Sequence, residues 1–339
     1  MKELYPWQTE TWQRLQGLRA RLPNAVLLKG AEGIGKLDIA LNFAQSILCE
    51  APLTSGLACH NCASCHWFSQ DSNPDFRLIQ PDALSLSEDT PEKESGKKAS
   101  REISVDQIRA LSSFVNLSAH SGGYRVVVIH PAEAMNNNSA NALLKTLEEP
   151  TDKLLFILVT NKPQQLLPTI LSRSLSLAVP MPTRSESMEW LKLQGVSDPE
   201  VALAQSGFAP LSALNASGEG AGTEEHKHML AAVKQAAKFD ALALAEQIQK
   251  AAPVQVIQFL QQWCYDLLSY KLAGAIRYYP EQADFIGNLS KSLSLQALLR
   301  YIKELQVAKR EAFHPLNAKL QFESILLSYQ QLLSSKNRA

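Results

Sequence analysis

The sequence predicts an α/β domain built on a parallel sheet, followed by a region made only of helices. Three observations carry this. A short apolar strand (Ala25–Leu28), a glycine loop (Gly30 to Lys36) and a helix with Leu37, Ala40, Leu41, Ala44, Ile47 and Leu48 at helical spacing form the opening of a nucleotide-binding βα unit. Strands and helices then alternate to about Pro180, the pattern of a parallel sheet covered on both faces. After Pro182 strand-like runs vanish.

Composition sets the bounds. The 339 residues suffice for two or three domains. Hydrophobic residues make up 45% and charged residues 19%, a globular balance. Lys+Arg and Asp+Glu are both 33, so the chain lacks the basic excess of a protein that grips DNA alone, and any DNA contact is expected to be shared with partners. The start, Met-Lys-Glu-Leu-Tyr-Pro-Trp, has no apolar signal core, and no run approaches the roughly 18 apolar residues of a membrane span. A cytoplasmic location is expected, where disulfides are rare.

The elements follow in order. Cys49 to Cys65 interrupts the alternation after the first helix. Pro81 to Arg101 is polar and reads as a flexible surface loop. Val105–Leu117 is a predicted helix and Val126–Ile129 a buried strand. Asn141–Glu149 is an amphipathic helix stopped by Pro150, and Leu154–Thr160 is a second buried strand. Residues 184–214 predict a small helical unit, and Gly218–Gly222 a linker. Helices are then predicted over 224–238, 240–251, 254–272, 294–311 and 316–333, with an apolar stripe such as Ile257, Leu260, Cys264, Leu267 and Leu268. A bundle core and an oligomerisation collar both bury such a stripe.

Gly30, Gly33, Gly35 and Lys36 match a phosphate loop, whose backbone N–H groups cradle phosphate while the lysine reaches the terminal phosphates. The next position should be Ser or Thr, to hold Mg²⁺, and here it is Leu37. The acidic pair that should end the strand Val126–Ile129 is replaced by His130-Pro131. Histidine is a poor ligand for an oxygen-preferring ion, and proline has no group to polarise water. Mg²⁺ is therefore not expected here, nor is ATP hydrolysis by the isolated chain. Nucleotide binding without hydrolysis, and a loop that only caps a helix, both stay compatible with the residues present.

Cys49, Cys59, Cys62 and Cys65 offer four thiolates, which suit a closed, structural Zn²⁺ site. An iron–sulfur cluster is the strongest rival reading, but its Cys-x2-Cys-x2-Cys run normally continues to a fourth Cys followed by Pro, where this chain has His66-Trp67; isolated buried thiols without a metal are the plainest alternative. With four cysteines filling the shell, His60 and His66 read as bystanders. Cys264 falls on an apolar helical stripe and reads as core.

These features, with the run Asn141-Ala-Leu-Leu-Lys-Thr-Leu-Glu-Glu-Pro150 and the Ser172-Arg173 pair, resemble the clamp-loader branch of the AAA+ ATPases. The resemblance also takes in Tyr5-Pro6-Trp7, His314-Pro-Leu-Asn317 and Leu320-Gln-Phe-Glu323, and the inserted cysteine module occurs in bacterial members. It implies a RecA-like AAA+ α/β domain at 1–181, with a zinc module at about 49–66 and a flexible loop at about 82–101. A helical lid at 182–217 and an all-α collar at 218–339 would follow.

The implied function is that of a non-hydrolysing stator in the DNA polymerase III clamp loader. Its partners would be gamma/tau and delta subunits in a five-subunit ring, the sliding clamp and, through the complex, primed DNA. Arg173 would be an arginine finger acting in trans, since a guanidinium forks onto phosphate oxygens; the plainer reading of the residue is a surface arginine or one paired with a carboxylate. The family motif continues with Cys, where this chain has Ser174. Thr160 and Asn161 match the region that senses phosphate in active relatives and read here as structural. An ATP-hydrolysing gamma/tau-type subunit is the alternative that the missing Mg²⁺ residues oppose; the chain also stops without the further domains of tau. A stand-alone zinc-dependent DNA-binding protein is the alternative that neutral charge opposes.

Overall fold

Strand β1 (Ala25–Lys29) lies inside a parallel sheet, between β4 (Leu154–Thr160) and β5 (Leu175–Ala178). In the computed structural model the sheet also holds β2 (Phe76–Ile79) and β3 (Arg125–Ile129), in the order β2-β3-β4-β1-β5. The registers pair Leu27 with Leu158, Leu28 with Leu177 and Val127 with Phe156. The structure describes residues 3–85, 100–116, 119–120, 122–218, 224–312 and 318–335. They divide into two compact units, Met1–Glu186 and Ser187–Ala339.

In the first unit, alternation along each strand builds two cores. Val26, Leu28, Val126, Val128, Leu155 and Ile157 face α1 (Thr9–Gly17), α2 (Lys36–Leu48) and α3 (Ala63–Ser69), through Trp12, Leu15, Phe43 and Phe68. After a single helical turn, α4 (Asp82–Ser85), three helices cover the opposite face: α5 (Val105–Asn116), α6 (Asn137–Glu148) and α7 (Pro168–Arg173). Leu111, Leu143, Leu147 and Ile170 on those helices pack on Leu27, Val127, Phe156 and Leu158. Buried on both faces, β1, β3 and β4 are almost wholly apolar, which is why they read as continuous runs. Helix α6 starts earlier than the sequence suggested, because the Asn136 side chain accepts the Ser139 N–H at 3.0 Å and caps it.

The polar segment 82–101 is held at both ends. Its first residues form α4, the Ala83 amide donates to the Ser100 carbonyl at 2.9 Å, and Gln107 Nε2 donates to the Gln80 carbonyl at 2.9 Å. Of the expected loop, Asp82–Ser85 form a helical turn; residues 86–99 lie outside the described residues.

In the second unit, α8 (Arg184–Leu193), α9 (Pro199–Gln205) and α10 (Pro210–Gly218) enclose a small core of Leu191, Ala202, Leu203 and Ala213. A larger core around Trp263, Phe322 and Tyr329 belongs to α11 (Glu224–Val233), α12 (Ala241–Gln247), α13 (Pro253–Ala273), α14 (Ala283–Ser292), α15 (Leu295–Glu311) and α16 (Ala318–Ser334). The sequence reading missed α14. The buried Asp266 carboxylate fixes the approach to it, accepting from the amides of Arg277 (2.9 Å), Tyr278 (2.9 Å) and Tyr279 (2.8 Å). The expected linker is in part helix, since Gly218 ends α10; residues 219–223 lie outside the described residues, as do His314–Asn317. Among the described residues, no helix is long and apolar enough to cross a membrane.

Candidate functional site

The four cysteines are assembled from the end of α2 and the start of α3. Cys49 is the residue at which α2 stops, Cys62 precedes the first turn of α3, and Cys65 lies within it. All four sulfurs lie within 4.8 Å of one another; Cys49–Cys62 is 3.9 Å and Cys59–Cys65 is 4.0 Å. A tetrahedron with Zn–S bonds of about 2.3 Å has edges of about 3.8 Å, so the two shortest separations match a bound Zn²⁺ and the cluster needs at most a small contraction to hold one. All five cysteines of the chain are free thiols.

Backbone amides turn toward the sulfurs: Cys59 N–H to Cys49 Sγ at 3.2 Å, and Asn61 N–H to Cys59 Sγ at 3.5 Å. The Asn61 amide pulls the Cys59 thiol down to about 6, whereas burial pushes Cys49 and Cys65 up. Binding a metal ion here would release the protons of these thiols. His60 and His66 are exposed and outside the four-sulfur group, while Cys264 is fully buried in the helical core. The module is tied to α1 by the Trp12 indole N–H, which donates to the Ser55 carbonyl at 3.1 Å.

The phosphate loop runs from β1 into α2. Gly33 and Gly35 take φ of 73° and 82°, in the left-handed region, and Gly35 caps α2. The N-terminal residues close over this turn. Trp7 Nε1 donates to the Ile34 carbonyl at 2.9 Å, Gln8 Nε2 donates to the Gly35 carbonyl at 2.7 Å, and the Tyr5 hydroxyl donates to Asp38 at 3.1 Å. A Cβ on Gly35 would meet the Tyr5 ring at 2.5 Å, and one on Gly30 the Val179 carbonyl at 2.6 Å.

Lys36 is buried, and its ammonium donates to the Ala31 carbonyl of the same loop. Burial draws it down to about 8, opposed by Glu133 and Glu32. Leu37, where the sequence reading expected a Mg²⁺ ligand, packs against the apolar core of the first unit. Burial likewise lowers His130 to about 4, with Glu133 opposing and Lys36 reinforcing.

Glu133 is the residue that sequence reasoning missed. It accepts from the Thr160 hydroxyl at 2.7 Å and from the Asn161 amide at 3.0 Å. It is an acid close to Lys36, but its oxygens already serve β4, and it sits in the turn beyond Pro131, not at the strand end. No local pattern announces a contact between residues so far apart in sequence.

Arg173 ends α7 and is exposed. Its Nη2 pairs with Glu148 Oε1 at 2.8 Å, while its Nη1 donates to the Thr169 carbonyl at 3.3 Å and to the Ser172 hydroxyl at 3.4 Å. Ser174, where the motif has Cys, donates its hydroxyl to the Ile170 carbonyl at 2.8 Å.

The family described as "DNA polymerase III, delta subunit" matches residues 7–182, and "DNA polymerase III, delta subunit, C terminal" matches residues 223–331. The DNA polymerase III subunit delta' of Pseudomonas aeruginosa is 36% identical over 278 residues, which cover 80% of this chain and 79% of that protein. That of Haemophilus influenzae is 31% identical over 326 residues, covering 92% and 91%. A DNA polymerase III gamma subunit-related protein of Thermotoga maritima aligns at 18% identity with a TM-score of 0.44, covering 96% of this chain and 99% of the other. Matched along most of its length by proteins of one description, the chain belongs to the DNA polymerase III delta' subunit family.

Proposed function

We propose that this chain is a stator of the DNA polymerase III clamp loader: it sits in the ring, turns over no ATP and supplies Arg173 to the nucleotide site of a neighbouring subunit. The observation that carries the reading is a contrast within one domain. The positions that should hold Mg²⁺ carry an apolar side chain packed against the core (Leu37) and a half-buried histidine (His130), whereas the arginine at the end of α7 is exposed. Phosphoryl transfer depends on both metal ligands, so a site without them is inert. An exposed guanidinium needs only a neighbour's phosphate to act on.

Each part of the chain has a role in this reading. Residues 1–181 form the AAA+ module, 182–217 its helical lid and 218–339 the collar that joins a five-membered ring. The partners are gamma/tau and delta subunits, the sliding clamp and, through the assembly, primed DNA, all in the cytoplasm. Cys49, Cys59, Cys62 and Cys65 would hold Zn²⁺, which when bound supplies a four-thiolate crosslink between the ends of α2 and α3. The amides of Cys59 and Asn61 stabilise thiolate charge there. At the phosphate loop the residues bind one another: Lys36 with Ala31, Gln8 with Gly35, Tyr5 with Asp38.

Reconstitution tests the proposal. The purified chain is expected to show no ATP turnover, to co-assemble with gamma/tau and delta subunits, and to raise their clamp-stimulated hydrolysis and clamp loading. Steady hydrolysis by the isolated chain would favour the gamma/tau-type alternative. Tight DNA binding by the isolated chain, with a steep salt dependence, would favour a stand-alone DNA-binding protein.

A further inference from the structure

We infer that Glu148 is a positioning residue for Arg173: its carboxylate holds the guanidinium in place at the surface, so that an arriving phosphate meets an ordered fork. The inference rests on the trans-finger reading above and names the residue through which this chain prepares the finger.

Three observations carry it. The pair is close, Arg173 Nη2 to Glu148 Oε1 at 2.8 Å, and both side chains remain exposed, at 37% and 50%. Both backbones are anchored by one core: Leu147, next to Glu148, and Ile170, one turn before Arg173, are buried in the same apolar cluster. Glu148 also ends its helix, where a negative charge opposes the helix dipole. A carboxylate there does nothing for α6, whereas Arg173 across from it gives it a partner.

The geometry favours a support over a latch. A guanidinium has five N–H donors, and Glu148 engages one nitrogen. The other nitrogen with a described partner, Nη1, makes only long contacts of 3.3 and 3.4 Å, which a phosphate can replace. The carboxylate therefore need not leave for the fork to bind. Ion pairs this exposed contribute little to folding. Removing the carboxylate should leave the fold intact and act through Arg173 alone.

The test is a double-mutant cycle in the reconstituted ring, reading clamp-stimulated ATP hydrolysis for Glu148→Gln, Arg173→Ala and the two combined. Glu148→Gln should keep the wild-type thermal midpoint, assemble, and lower kcat in the same direction as Arg173→Ala but by less, with KM for ATP unchanged. In the Arg173→Ala background it should add no further loss. Glu148→Asp, which keeps the charge on a shorter stem, should recover part of the loss. A Glu148→Gln ring as fast as or faster than wild type, or losses that multiply in the double variant, would overturn the inference and leave the finger reading standing. A wild-type rate for Arg173→Ala itself would remove that reading and the inference with it.

Discussion

The hydroxyl of Thr160 donates to Glu133 at 2.7 Å, tying the end of β4 to the turn that follows β3. The adjacent Asn161 amide donates to the other oxygen of the same carboxylate. Both groups are therefore engaged by the chain's own acid. Lys36 is likewise turned onto the Ala31 carbonyl of its own loop.

Restoring one metal ligand should therefore not restore activity. Leu37→Thr supplies a hydroxyl beside Lys36 but leaves His130-Pro131 without an acid to hold the ion or orient water. The expected result is no phosphate release above background and a modest loss of stability, about 1–2 kcal/mol, from the apolar contacts given up. Appreciable turnover by the single variant would contradict this account of the site.

The cysteine centre makes a separate prediction. Purified protein should carry one Zn²⁺ per chain by elemental analysis, and no iron. Cys62→Ser should lower the unfolding free energy of the first unit by on the order of 3 kcal/mol, since loss of a metal site is among the larger single-residue effects. Metal below about half an equivalent after mild purification would count against the site, because four clustered thiols bind Zn²⁺ tightly.

Gly35 should resist substitution for two reasons that can be separated. Gly35→Ala forces an alanine to φ of 82° and drives its Cβ into the Tyr5 ring. Gly195 has a similar φ of 81° and open space around its Cβ position. Gly195→Ala should lose about 1 kcal/mol, and Gly35→Ala clearly more, about 2–4 kcal/mol in denaturant unfolding. Equal losses would show that the closure of the N-terminal residues over the loop contributes nothing.

His130 gives the chain a pH dependence of defined sign. Its pKa is lowered from 6.5 to about 4 by burial, so between those values the unfolded chain takes up a proton that the folded chain refuses. Stability is unaffected by this group above 6.5 and falls as pH drops from 6.5 toward 4, by up to about 3 kcal/mol. The measurement is the difference in unfolding free energy between wild type and His130→Gln at pH 7 and pH 5. Wild type should lose ground to the variant on acidification, and a constant difference would mean that His130 titrates normally.

How legible the molecule was from its sequence depends on the range of the interactions. Strands β1, β3 and β4 could be read because burial on both faces made them continuous apolar runs. The cysteine cluster could be read because its ligands crowd into a short segment. Helix α14 could not, although Phe285, Ile286 and Leu289 follow helical spacing. Gly287 interrupts the pattern, and it is glycine because a Cβ there would meet the Tyr270 ring at 2.8 Å. Glu133 and Glu148 escaped notice for another reason. Each meets its partner only after the sheet is assembled, across distances in sequence that carry no periodic signal.

The central claim is that this chain contributes an arginine to a neighbour's site while performing no hydrolysis itself. Clamp-stimulated ATP hydrolysis by rings carrying Arg173→Ala measures it most directly. Arginine fingers in GTPases are worth on the order of 10³–10⁵ in rate at one site. The ring as a whole should lose less, because other motor sites keep fingers from their own neighbours. Arg173→Lys should recover little, since an ammonium keeps the charge and loses the planar fork. The account predicts rings that assemble normally, hydrolyse ATP more slowly and load fewer clamps. An alanine ring that assembles and matches wild type in both activities would contradict it.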